Sequence, residues 1–204
     1  MNGGPVAERV YDSLRRLILS HGFRPGDRLD PNMLAERLSA SITPVREALN
    51  VLCGEQLVQA QRSGGYYLPA LDEPALKDMY RWAHEITLLA MRSWPLGKTM
   101  AWDRIRKRQE GYADRARELL NAIACLSVNG EHCRATTTLN ARLHAVRTVE
   151  IEVLPEAMAE LASIEHDFDQ GDRPALRRGL NAYHRRRISA ASKLVRAAYR
   201  AATS

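Results

Sequence analysis

Cysteine is scarce in this chain of 204 residues: Cys53, Cys125 and Cys133 only, an odd count with no C-x-x-C pair. No disulfide framework is expected, and a reducing compartment is the simpler reading. Long apolar runs are missing too. The longest, Leu119 to Val128, is ten residues interrupted by Asn121, too short to span a bilayer. The opening MNGGPVAERV has neither a basic region nor an apolar core, so no signal peptide is read and a cytoplasmic location without membrane contact is expected. No G-x-S-x-G, H-E-x-x-H or phosphate-loop pattern occurs, and no Cys/His couple stands out, so an enzyme is not expected. Lysine is absent from residues 1–72, where eight arginines meet eight acids. The formal net charge of +6 therefore comes wholly from residues 73–204, and net charge alone does not mark a nucleic-acid-binding half. What remains is 45% hydrophobic and 26% charged, ordinary globular composition for one or two domains.

Two prolines in Tyr67-Leu-Pro-Ala-Leu-Asp-Glu-Pro74 mark a linker, because proline interrupts helices and central strands. They divide the chain into residues 1–71 and 72–204. In the first part Val6, Val10, Leu14, Leu17 and Ile18 recur at helical spacing, predicting a helix over about 5–20. His21-Gly22 and Arg24-Pro25-Gly26-Asp27 end it. Asp30 or Asn32 caps a short second helix, with Leu34, Ala35 and Leu38 on one face. After a break at Ser39-Ala40, Ser41 or Thr43 caps a third helix that runs to Gly54, with Pro44 in its first turn, where a missing N–H is harmless. Leu57–Gln61 and Tyr66–Leu68 alternate as strands around Arg62-Ser63-Gly64-Gly65, a hairpin turn.

Three helices and a hairpin in this order make a winged helix-turn-helix. The run LAERLSASITPVREALNVLCGEQLV from Leu34, the following RSGGYYLPAL and the opening VYDSLRRLILSHGFRPGDRL resemble the N-terminal domain of GntR-family transcriptional regulators over about residues 5–71. The resemblance implies binding to double-stranded DNA. The first turn of the third helix would enter the major groove and offer free N–H groups to phosphate. Its interface residues would be Asn32, Ser39, Ser41, Ile42, Thr43, Pro44 and Arg46, with Arg62, Gly64 and Gly65 in the wing. Arg46 is suited to fork onto guanine O6 and N7, a contact worth roughly 1–3 kcal/mol of discrimination. Ile42 stands where family members commonly carry a basic residue, which shifts load onto Arg46.

Beyond Asp72 the periodicity is helical throughout. Helices are predicted over about 74–93, 103–127, 131–149, 157–168 and 173–202, making an all-α bundle. Leu76, Met79, Trp82/Ala83, Ile86 and Leu89/Ala90 form the expected inner stripe of the first. Behind this DNA-binding part, the bundle resembles the FCD domain of FadR-type GntR regulators. That domain senses small molecules, often carboxylates, and often holds a divalent metal through one Asp and three His. Arg81-x-x-x-Glu85, Asn140-Ala-Arg-Leu-His144 and the segment from Ile164 to His184 carry the resemblance. It places Asn140 at the family's Asp, His144 and His184 at two of the His, and Leu161 where another is expected. Asn140, His144 and His184 alone make a poor set for a divalent ion, so no metal or other cofactor is favoured. Arg81, Asn140, His144 and His184 are then the candidate residues for an anionic effector, with Arg81 as the carboxylate fork. Arg185, Arg186 and Arg187 read as a solvated stretch of helix.

The fold expected is thus mainly α: a winged helix-turn-helix, then an FCD-like bundle for effector binding and dimerisation. The function expected is a sequence-specific regulator, acting as a repressor and a homodimer on a two-fold operator, with a small carboxylate modulating DNA affinity. The alternative is a DNA-binding dimer with no effector, its bundle serving dimerisation alone.

Overall fold

Val10, Leu14 and Ile18 lie four residues apart, so a helix gathers them on one side, and helix α1 (Pro5–Leu19) buries all three. The computed structural model describes residues 5–19, 23–62, 64–95 and 111–201. Val6, expected on that stripe, is 55% exposed at the start of the helix. After α1 come β1 (Arg28–Leu29), α2 (Pro31–Arg37), α3 (Ile42–Gly54), β2 (Gln59–Ala60) and β3 (Tyr66–Tyr67). Asp30, not Asn32, caps α2: its carboxylate accepts the Asn32 N–H at 2.8 Å. The sheet exceeds the expected hairpin by one short strand. Its order is β1-β3-β2, antiparallel throughout, with Arg28 opposite Tyr67 and Gln59 opposite Tyr67 on the other side. Leu29, buried completely, pins β1 under the helices. Val45, Ala48, Leu49 and Leu52 turn the inner face of α3 onto α1 and α2.

The remaining helices are α4 (Glu73–Arg92), α5 (Tyr112–Cys125), α6 (Gly130–Arg142), α7 (His144–Val153), α8 (Ala157–Asp169) and α9 (Arg173–Ala201). The chain forms two units, one of residues up to Leu71 together with the end of α9 from Tyr199, the other of Asp72–Ala198. Asp72 caps α4 by accepting the Ala75 N–H at 2.7 Å. The helix predicted over 131–149 is two, parted at Leu143, and extends to Val153. The part of the 103–127 prediction before residue 111 lies outside the described residues. Trp82 and Leu89, expected inside, are 51% and 42% exposed. The buried stripe of α4 runs instead through Leu76, Tyr80, Ala83, Ile86, Thr87, Ala90 and Met91. Leu119, Leu120 and Ile123 of α5 meet Leu161, Ile164 and Phe168 of α8 and Leu176, Leu180 and Tyr183 of α9 in the apolar core. Cys125 and Cys133 are joined by a disulfide, contrary to expectation. The reversal between α5 and α6 brings their Cα atoms to 4.5 Å, a local pair that an odd cysteine count conceals. Among the described residues no helix is long and apolar enough to cross a membrane.

Leu49 is wholly buried where α3 meets α1. Leu49→Ala is expected to lower unfolding free energy by about 2–5 kcal/mol, the usual range for such a cavity. Urea denaturation read by amide hydrogen exchange in α1 and α3 checks this; unchanged protection there would contradict the packing.

Candidate nucleic-acid interface and the polar interior of the bundle

The inner face of α3 is spent on the core, and its first turn is not. Ser41 occupies the N-cap with extended backbone, yet its hydroxyl makes no cap hydrogen bond. The first N–H groups of α3 thus keep their positive end turned outward. Ser41, Ile42 and Thr43 are exposed, Pro44 is half-buried and Arg46 is exposed. Among the described residues Arg46 has no ion-pair partner, although Glu47 stands beside it. Asn32, Ala35, Glu36, Ser39, Ala40, Ser41 and Ile42 line a groove of about 570 Å³ at the junction of α2 and α3. Ser39 turns the chain there with φ 49°, in the left-handed region. The tightness of the turn follows from Ala40 N–H donating to Ala35 O at 2.9 Å and Ser39 N–H to Glu36 O at 3.1 Å. Glu36 brings one negative charge to this lining.

At the wing, Gly64 N–H donates to Gln61 O at 2.9 Å and Gln61 N–H to Gly65 O at 3.1 Å. Gly64 and Gly65 have φ of 91° and 97°, which glycine adopts without strain. A Cβ on Gly65 would stand 3.3 Å from the Tyr67 ring, whereas Gly64 faces open space. Arg62 and Gly64 are exposed at the tip. One tie escaped the sequence reading: the Tyr66 hydroxyl donates to Asn50 Oδ1 at 2.8 Å, fastening the wing to the middle of α3. Of the ten residues expected at this interface, Asn32 lies in the first turn of α2 and the other nine on the α2–α3 turn, the start of α3 and the wing.

The four effector candidates do not form one cluster. Arg81 is on the solvent side of α4, 56% exposed, and pairs with Asp78 at 2.8 Å. Asn140 and His184 are almost fully buried, and His144 is half-buried at the start of α7. The Asn140 amide is already engaged. Its nitrogen donates to Asn121 Oδ1 at 2.7 Å and Arg117 O at 3.2 Å. Its oxygen accepts from Arg147 Nη2 at 2.7 Å. A guanidinium only donates, so it fixes that oxygen's direction and holds a positive charge where a metal ion would have to stand. The residues present do not fit a divalent metal.

What the sequence reading missed is a charged interior. Glu150, Arg147 and Arg187 are completely buried. The Glu150 carboxylate accepts the Tyr80 hydroxyl, the Tyr112 hydroxyl at 2.5 Å and Arg187 Nε at 2.9 Å. Arg187 also donates to Glu160, to Tyr183 O at 3.0 Å and to the Tyr112 oxygen at 2.6 Å, and lies 3.5 Å over the Tyr183 ring. Burial, then the negative charge of Glu150, raises the Tyr80 hydroxyl well above its ordinary pKa, so it remains a donor. Arg187 thus leaves the solvated role expected for it, while Arg185 and Arg186 stay exposed. Arg187 falls on the buried α9 stripe of Leu176, Leu180, Tyr183, His184, Ala190 and Leu194, the one signal that could have found it.

His184 Nδ1 faces Leu180 O at 2.9 Å, so it carries the proton and donates. Burial pushes the imidazole pKa down to about 3, with His84 and the two arginines adding repulsion. Below about pH 6.5 the unfolded histidine takes up a proton that the folded one refuses. The stability it confers is complete above that value and is lost as pH falls toward about 3. Unfolding free energy is expected to drop by about 1.4 kcal/mol per pH unit in this window from His184 alone. Urea titrations at pH 7, 6 and 5 should show that extra slope in the wild type and not in His184→Leu; equal slopes would contradict the assignment.

Comparison with known proteins places this geometry. Residues 6–68, from α1 through β3, match the family model "Bacterial regulatory proteins, gntR family". The Nta operon transcriptional regulator of Aminobacter aminovorans is 38% identical over 64 residues, 31% of this chain and 30% of that protein. The HTH-type transcriptional repressor GlaR of Escherichia coli is 31% identical over 70 residues, 34% of this chain and 32% of that one. The chain thus matches about a third of the length of these curated relatives. In overall fold it is similar to McbR/YncC of E. coli, with a TM-score of 0.67 at 19% identity, covering 95% of this chain and 99% of that one. The fold is therefore mainly α, a winged helix-turn-helix followed by an all-helical unit, and its first part, residues 6–68, is similar to the gntR family of bacterial regulatory proteins.

Proposed function

We propose that the protein is a cytoplasmic transcription regulator, a repressor, that binds double-stranded DNA as a homodimer and responds to a small anionic effector. Residues 1–71 serve as the DNA-binding domain and 72–204 as the effector-binding and dimerisation domain. The observation that carries the reading is the exposed first turn of α3: Ser41, Ile42, Thr43 and Arg46 are left to solvent by a helix whose other face is fully buried. An α-helix fits the major groove of B-DNA, and first-turn side chains reach base edges there. Arg62 and the open Gly64 at the wing tip suit contact with phosphate or the minor groove. The family match over 6–68 and the regulator names of the relatives support the same function. A single short helix reads few base pairs, so two copies on a two-fold site supply the specificity that a regulator needs. A ligand that binds one conformation of the helical unit more tightly than another alters DNA affinity by linkage.

Gel-shift titration on DNA from the region upstream of the protein's own gene tests the reading. Arg46→Ala is expected to weaken specific binding by about tenfold to a hundredfold, corresponding to roughly 1–3 kcal/mol, and to leave salt-sensitive non-specific binding in place. Sedimentation should find a dimer on a two-fold site. Equal affinity of wild type and Arg46→Ala for that DNA, or no preference over unrelated DNA, would contradict it.

A further inference from the structure

Cys125 is the last residue of α5 and Cys133 the fourth of α6, so the reversal between the two helices brings the thiols face to face. Their Cα atoms are 4.5 Å apart, within the range over which two cysteines join without backbone movement. The reversal does not need the bond to hold its shape. Asn129 caps α6 by accepting the Glu131 N–H at 3.0 Å. Ser127 Oγ accepts the Asn129 N–H at 3.1 Å and lies 2.8 Å from His132 Nδ1. Val128 N–H donates to Ser93 O at 3.0 Å and Trp94 Nε1 to Ile123 O at 2.8 Å, which fastens the reversal to the end of α4. None of these ties involves a sulfur, so they persist in the dithiol form and keep the two thiols within reach.

Solvent reaches the pair: Cys125 is exposed and Cys133 half-buried. An exposed disulfide is the kind that thiols in solution reduce, and in a reducing compartment its resting state is the dithiol. The helix ends make the two thiols unlike. Cys125 stands at the negative end of α5, which favours the neutral thiol, and Cys133 near the positive end of α6, which favours the thiolate. The one carboxylate in the first turn of α6, Glu131, is paired with Arg134 at 2.5 Å. Cys133 is therefore the nucleophile and Cys125 the resolving thiol. Cys53, on α3, is the contrast within the same chain: it has no cysteine to pair with, and burial pushes its thiol pKa up.

We propose that Cys125 and Cys133 form a reversible thiol–disulfide site that reacts with peroxides. The Cys133 thiolate attacks one peroxide oxygen and the O–O bond breaks. The other oxygen leaves with a proton from water, as water or an alcohol, and Cys133 becomes a sulfenic acid. The Cys125 sulfur then attacks the Cys133 sulfur, and the S–O bond breaks. That oxygen leaves as water, carrying the Cys125 proton and the sulfenic proton. Two electrons have passed from the thiol pair to the peroxide. Two molecules of glutathione reverse the change by exchange and leave as their own disulfide. The closed bond ties the end of α5 to the first turn of α6 across a sequence separation of 8 and restricts the unfolded chain there. An oxidant is thereby converted into stiffness of a reversal that packs against α4. The proposal goes beyond the DNA-binding reading and does not depend on it.

Both cysteines fall in one tryptic peptide, residues 118–134, so mass spectrometry reads the bond as a loss of two hydrogens. The full chain is reduced with dithiothreitol, then exposed to a modest excess of hydrogen peroxide near neutral pH. The peptide is expected to lose two hydrogens while Cys53 stays open to alkylation, and glutathione at a few millimolar should restore both thiols in the folded protein. Cys125→Ser should accumulate a sulfenic acid at Cys133 that dimedone captures, whereas Cys133→Ser should oxidise at Cys125 about tenfold more slowly. Closing the bond is expected to raise Tm by about 5 °C and to slow amide exchange over residues 125–133. The double variant Cys125→Ser/Cys133→Ser should fold and melt like the reduced wild type, which itself serves as the comparison if the serines disturb the turn. The proposal is overturned if peroxide leaves the peptide in its dithiol form, if Cys53 oxidises first, or if dimedone captures Cys125 in preference to Cys133. It is equally overturned if the reduced wild type does not fold or the folded disulfide resists glutathione, since the bond is then a permanent staple. Arg46→Ala should respond to peroxide as the wild type does, so this proposal and the DNA-binding reading fail separately.

Discussion

One desolvated carboxylate sets the arrangement of the helical unit. Glu150 is buried on α7, and a buried carboxylate is tolerated only when its lone pairs are filled and its charge is matched. Both conditions draw in other helices: Tyr80 from α4, Tyr112 from α5 and Arg187 from α9. Each tie is directional, so together they fix rotation and register in a way that the apolar core of α5, α8 and α9 does not. Leucine and isoleucine accept many relative placements of two helices at similar energy, whereas a short hydrogen bond to a given oxygen accepts one. The same network leaves Arg147 without a carboxylate, since Arg187 holds both Glu150 and Glu160.

The N-terminal unit obeys a simpler constraint. Helix α3 has 13 residues and two tasks. Val45, Ala48, Leu49 and Leu52 meet the core requirement at a spacing of three or four, which leaves Ile42, Thr43, Arg46, Glu47 and Asn50 outside. Asn50 is taken up by Tyr66 of the wing. The outward residues of the first turn fill no part of the core, so substitutions there leave the packing of the fold intact. Ile42 illustrates this freedom: at 40% exposed it neither caps the helix nor fills the core. In a DNA reader, such positions set sequence preference, while the buried set merely presents them.

Legibility in the sequence followed the same division. The α2–α3 turn and the wing were readable because their chemistry is local: a Pro in a first turn, a Gly-Gly pair needing positive φ, an Asp at an N-cap. Strand β1 was not, since two residues carry no period. In the bundle the apolar stripes located the helices, but the polar residues on those stripes were misread. Arg187 was assigned to solvent with Arg185 and Arg186, although it alone lies on the spacing of Leu180, Tyr183, His184 and Ala191. Glu150 lies four residues after Val146 on the buried side of α7 in the same way. Residue type outweighed position in that reading. Position was the better guide, because charge inside is excluded only when unmatched, and its match lies on a helix far away in sequence. Arg81 erred in the opposite sense: a suitable type, placed on a face that the packing of α4 leaves in water. The break at Leu143 has neither Gly nor Pro to announce it.

On the reading of the helical unit as effector-binding, an arginine at the centre of the bundle also changes how an effector would be sensed. A divalent ion bound by imidazoles makes affinity depend on keeping those rings unprotonated and on metal supply. A guanidinium keeps its charge at every physiological pH and needs no third party. With Glu150 already saturated, the charge of Arg147 is a standing penalty on the closed, ligand-free bundle, and any anion that reaches it relieves that penalty as well as gaining its own hydrogen bonds. The closed liganded state is favoured over the closed empty state by more than the contacts alone would give, and it is this difference between states, not affinity as such, that an effector must provide to shift an equilibrium. On the proposed reading, the instability built into the interior by an unmatched cation is therefore the source of the response.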